Sequence, residues 1–133
     1  MNKSGLTEFA THYAAAWGSQ DPDSLASFYG EEGALAINDG APAVGRAAIA
    51  AVAGDFMAAF PDMVVRMESL TLNGRQAVFR WHWTGTNTGP GGTGKRVDLR
   101  GYEDWLLGPD GLILLAKGYY DEAEYQRQVG PDA

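Results

Sequence analysis

Cysteine is absent from the 133 residues, which excludes disulfides and any thiolate-held metal. Histidine is nearly absent too. His12 and His82 are the only two, and no repeating pattern of carboxylates accompanies them, so neither a metal site nor a cofactor is expected. Basic residues are outnumbered, with 10 Lys and Arg against 17 Asp and Glu and a net charge of −7. Such a chain lacks the positive face that a phosphate backbone needs, which argues against a nucleic-acid partner. No apolar run approaches the ~20 residues of a membrane span, and "MNKSGLTEFA" has no signal-peptide core. The expectation is a cytoplasmic protein without a membrane partner. Repeats and linkers are lacking as well, and the length fits one domain over 1–133. "TGTNTGPGGTG" at 84–94 reads as a flexible loop.

What is present is strongly patterned. Leu6, Phe9, Tyr13 and Trp17 fall at helical spacing over 5–18. A second helix opens at "DPDSL", where Asp21 suits the N-cap and Pro22 the first helical position, and Gly30 stops it. "ALAI" at 34–37 is a short strand. A third helix carries Ile49, Val52, Phe56 and Phe60 on one side and ends at Pro61. Long strands follow at about 62–72, 75–86, 96–107 and 111–120, and a capping box at Asp121–Glu124 starts a last short helix. Helices first and an antiparallel meander afterwards describe an α+β fold of sheet on helices.

The turns set the expected faces. "NG" at 73–74 is a strong hairpin signal, and a type I′ turn there pairs Leu72 with Arg75. Carried across the meander, this register puts Met63, Val65, Met67, Val78, Leu99, Trp105, Leu107 and Leu114 on one apolar face, with Arg80, His82 and Glu103 among them. The opposite face then holds Phe79, Trp81, Trp83, Tyr102 and Tyr119, the texture of a solvent face or subunit contact. A homodimer through Phe79, Trp81 and Tyr119 is therefore expected. A bulge in the 87–95 hairpin would flip the pairing of Arg80 with Glu103.

Glu103 on an apolar face asks for a reason, because a buried carboxylate costs several kcal/mol unless paired or protonated. A structural ion pair with Arg80 is one reading; a pocket acid tuned by burial is the other. His82 is weighed between a core residue and a ligand contact, and Tyr13 between core and site. Asn38 and Asp39 follow the first strand, where turn chemistry alone would justify them.

The element order, with "HYAAAWGSQDPDSLASFY", "GRAAI", "FPDM", "WHWTGTNTG" and "GYEDWLLGPDGLI", resembles the nuclear transport factor two-like superfamily, and within it SnoaL-like and ketosteroid-isomerase-like members. The resemblance implies a curved antiparallel sheet wrapped over N-terminal helices around a cone-shaped pocket, a cystatin-like α+β barrel, commonly in homodimers. It implies Tyr13 and a protonated Glu103 as partners of a developing enolate, and Asp39 as the proton-shuttling base, with Asn38 as the alternative at that place. The pocket wall is assigned to Trp17 and Phe56 from the helices and to Met67, Trp105, Ala116, Gly118 and Tyr120 from the strands. His82, Arg80 and Asn38 would form its polar end. In polyketide cyclases a histidine stands where Glu103 does, and their acid–base aspartate falls on Gly118 here. The Asp–Arg–Asp set of epoxide hydrolases is echoed only by Arg80 and Glu103. The expected function is proton transfer on an apolar, steroid- or polyketide-like carbonyl compound without a cofactor. A non-catalytic binder of an apolar small molecule, and a cyclase- or epoxide-hydrolase-like enzyme, are the alternatives.

Overall fold

The computed structural model describes residues 2–131. Helix α1 spans Lys3–Gly18, α2 Pro22–Ala26, α3 Arg46–Ala59 and α4 Glu122–Val129. The strands are β1 Tyr29–Ile37, β2 Ala43–Val44, β3 Val64–Asn73, β4 Gln76–Thr86, β5 Arg96–Leu107 and β6 Ile113–Tyr119. They form one six-stranded sheet in the order β2-β1-β6-β5-β4-β3, antiparallel except for the β1–β6 pair. The architecture is α+β, and the sheet stays open, with β2 and β3 at its edges.

Local chemistry fixes the helix ends as the sequence implies. Asp21 accepts from the backbone N–H groups of Asp23 and Ser24, with Pro22 at the first turn. Asp121 accepts from that of Glu124. Such caps satisfy donors that have no intrahelical partner. The second helix is shorter than its apolar pattern implies, and Tyr29 opens β1 rather than closing α2.

Register is where the expectation fails. The β3–β4 hairpin pairs Asn73 with Gln76 and Leu72 with Ala77. Gly74 sits at the first of two turn positions with φ +63° while Arg75 stays at negative φ, which fits a type II′ reversal rather than type I′. A bulge between Met67 and Ser69 then shifts β3 by one residue. As a result Ala77, Phe79, Trp81 and Trp83 are buried against the helices. Across the next hairpin Phe79, not Arg80, stands opposite Glu103.

Arg80 and His82 therefore point away from the interior. Arg80 is exposed and lies over the Tyr102 ring, 5.2 Å from its centroid, and His82 Nε2 bonds Asp98 Oδ1 at 2.6 Å. There is no Arg80–Glu103 pair. Leu114 is 41% exposed instead of inward, because buried Leu107 pairs with Ile113 rather than with Leu112, which turns Ile113 in and Leu114 out. Met63, Leu99, Trp105 and Leu107 are buried as read. Glu103 is the one buried charged residue among those described.

Candidate functional site: a carboxyl in an aromatic cavity

Glu103 lies on β5 opposite Phe79 of β4 and Gly118 of β6, so its side chain enters the space beneath the helices. Trp105, two residues on, shares its face, and its Nε1 donates to Glu103 Oε1 at 2.8 Å. Helix α1 brings Tyr13 to the same atom, the hydroxyl donating at 2.9 Å. Tyr13 has spent its only proton there, so Tyr29 donates in the 2.7 Å contact between the two hydroxyls. Both bonds to the carboxyl land on Oε1, so the proton of the neutral acid belongs on Oε2, the oxygen without a partner among the described residues.

Burial pushes the Glu103 carboxyl up to about 7, while the Trp105 and Tyr13 bonds pull the other way. No cation sits beside it, so desolvation dominates. Tyr13 and Tyr29, both wholly buried, are pushed well above the ordinary phenol range by burial and by the Glu103 charge. They hold the carboxyl in place and do not ionise near neutrality.

Glu103 forms part of the wall of a cavity of about 60 Å³. Trp17, Phe56, Phe79, Trp81, Trp83 and Tyr120 supply aromatic surface there, and Leu35, Ile37, Met63, Val65 and Gly118 complete it. Neighbouring rings stand steeply to one another. Trp17 meets Phe56 at 81°, Phe56 meets Trp83 at 90°, Trp83 meets Tyr120 at 73°, and Tyr120 meets Trp81 at 63°. Tyr125 of α4 stacks on the Trp83 ring at 5.7 Å between centroids. Among the described residues, Glu103 is the only one in the wall that carries charge near neutral pH.

Of the residues expected in the pocket, Glu103, Trp17, Phe56, Gly118 and Tyr120 meet in this wall. Tyr13 and Trp105 stand behind Glu103, and Ala116 is buried beside Trp105. Met67 is half-buried and packs on the core outside the wall. Asp39 is exposed, and its Oδ1 accepts from the Tyr119 hydroxyl at 3.0 Å. Asn38 Oδ1 accepts from the backbone N–H of Tyr120 at 3.0 Å. Both adopt positive φ, +50° and +60°, and turn chemistry explains them. Asn38 with Arg80 borders a shallow outer groove, and His82 also stands on the outer face. Sequence reasoning missed Phe79, Trp81 and Trp83 as wall residues. Their strict alternation with Arg80, His82 and Thr84 was the available signal.

The family description "SnoaL-like domain" fits residues 10–115. The chain belongs to the SnoaL-like family. No curated protein matches this SnoaL-like chain in sequence. Among solved structures, it is similar to a protein of ketosteroid isomerase-like fold from Catenulispora acidiphila DSM 44928, determined in complex with trimethylamine. That pair has a TM-score of 0.83 at 19% identity, covering 94% of each chain. A candidate SnoaL-like polyketide cyclase from Jannaschia sp. CCS1 gives 0.82 at 18% identity, covering 98% of this chain and 94% of its own. A candidate polyketide cyclase from Xanthomonas campestris pv. campestris gives 0.71 at 24% identity, covering 96% and 98%. At these identities the likeness establishes the fold, a frame shared by many chemistries.

Proposed function

We propose that this SnoaL-like domain holds a compact, largely apolar small molecule in the aromatic cavity, and that Glu103 exchanges a proton with its polar end. One observation carries this reading: among the described residues, Glu103, held near neutrality, is the only one in the wall charged near neutral pH, and its Oε2 has no partner. A carboxyl with a pKa close to the operating pH is suited to acid–base work. Tyr13 acts here as a positioning residue, since its hydroxyl reaches Glu103 and not the cavity. Asp39 has no part in proton transfer, because it lies on an exposed turn bonded to Tyr119. The cavity is several-fold smaller than the roughly 300–1,000 Å³ of a drug-sized site, which favours a ligand of a few heavy atoms over a steroid or polyketide. Trimethylamine in the Catenulispora acidiphila protein is a ligand of that scale.

Cyclopentanone in deuterium oxide tests the acid–base role, with α-hydrogen exchange followed by proton NMR. Wild-type protein is expected to accelerate exchange, and Glu103→Gln to lower that rate by at least ~100-fold. An unchanged rate in Glu103→Gln overturns proton transfer by this residue. The second reading, binding without turnover, is favoured by the lack of another proton-handling group at the wall near neutral pH. Saturable binding of the ketone without exchange would support it. The proposal also includes a homodimer through the outer face of the sheet, around Tyr102, Tyr119 and Leu106.

A further inference from the structure

We propose that the cavity is a cage for a small alkylated ammonium cation, with Glu103 as its counter-ion. The inference rests on the reading that this cavity is the ligand site, and it names the ligand's charge. Trp17, Phe56, Trp83, Tyr120 and Trp81 follow one another around the wall with successive interplanar angles of 81°, 90°, 73° and 63°. All five rings line the same small cavity, so a cation held there lies close to several of them at once. The face of an aromatic ring carries negative quadrupole and attracts a cation within about 6 Å, most strongly where water is excluded. Methyl groups on the nitrogen supply the apolar surface that such walls also require.

The carboxyl gives the same answer independently. A buried carboxylate ordinarily has a cation beside it, yet no Lys, Arg or His reaches this wall. Tyr13 and Trp105 both stabilise the ionised form through Oε1, which leaves Oε2 for the ligand. A neutral carbonyl compound could accept from the Trp83 indole N–H, which is buried and has no partner among the described residues, but it would leave the ionised carboxyl without a counter-charge. An ammonium ion supplies the missing positive charge, and a tertiary one also donates its N–H to Oε2. The net charge of −7 favours the approach of a cation.

The titratable groups around Glu103 are Tyr13 from α1, Tyr29 from β1 and Tyr120 at the wall, and all three are displaced to the alkaline side by burial. Cation binding near neutral pH is therefore coupled to ionisation of Glu103 alone. Affinity should rise as pH climbs through neutrality and level off above it.

The probes are tetramethylammonium chloride and tert-butanol, a neutral molecule of the same bulk, titrated into the full chain by calorimetry. Wild-type protein is expected to prefer the cation at least tenfold. Glu103→Gln should lose that preference and its pH dependence, and Trp81→Leu should weaken cation binding several-fold while retaining the pH dependence. If Glu103→Gln fails to fold, the pH profile of wild type and the Trp81→Leu series decide the question. Equal affinity for both probes overturns the cage. Binding of cyclopentanone but not of tetramethylammonium overturns the charge assignment and leaves the cavity as the ligand site. Failure of all three probes overturns the reading of the cavity itself.

Discussion

Glu103 is the residue at which stability and function pull in opposite directions. Its carboxyl is raised from 4.5 to about 7 by burial, so the folded chain binds a proton that the unfolded chain releases between those values. Stability therefore falls as pH rises from 4.5 to 7, and the loss is complete above the folded value. The gap corresponds to about 3 kcal/mol. Urea denaturation of wild type at pH 5 and pH 8 should show that loss, and Glu103→Gln should not. Parallel pH dependence in the two proteins would show that the carboxyl is not desolvated. The residue was legible in the sequence as a lone acid on an apolar strand face, and Tyr13 from its place on the first helix stripe. Their mutual contact was not, because 90 residues separate them and only packing of α1 on the sheet joins them.

At the scale of elements, β4 shows why counting across turns gave the wrong face. Phe79, Trp81 and Trp83 each bury roughly 150–250 Å², worth about 4–6 kcal/mol apiece at ~25 cal/mol per Å². Arg80 and His82 would cost free energy in the same place. The energetic alternation outweighs any register inferred from a turn, and the β3 bulge reconciles Met67 and Val65 with that choice. Gly101 completes the arrangement. It pairs with Trp81, and a Cβ there would lie 2.4 Å from the Tyr119 carbonyl oxygen and 2.5 Å from the Trp81 indole. Gly101→Ala is expected to destabilise by about 1–3 kcal/mol, as overpacking does, and to perturb the cavity through the displaced indole. Thermal melting with tryptophan fluorescence checks both effects; wild-type stability and emission would mean that the indole does not depend on this glycine.

For the whole molecule, the outward turn of Arg80 and His82 changes which surface is offered to a second copy. Phe79 and Trp81 are inside, so the proposed homodimer rests on Tyr102 and Tyr119, whose rings lie 5.2 Å apart, and on Leu106, 40% exposed. A stable pair needs roughly 800 Å² from each partner. Sedimentation at micromolar concentration should give the dimer mass, and Leu106→Glu should shift it toward monomer; a wild-type monomer would overturn the proposal.

By itself the sequence determined the order of helices and strands, the caps at Asp21 and Asp121, the family, and an acid set within an apolar strand. These depend on neighbours a few residues apart, where period and capping chemistry act directly. Tertiary structure alone decided the register of the meander, the inward turn of the tryptophans and the meeting of five rings around one carboxyl. Those outcomes depend on single-residue shifts at a turn and at bulges, and the energy that selects among them arises only when the sheet closes on its helices.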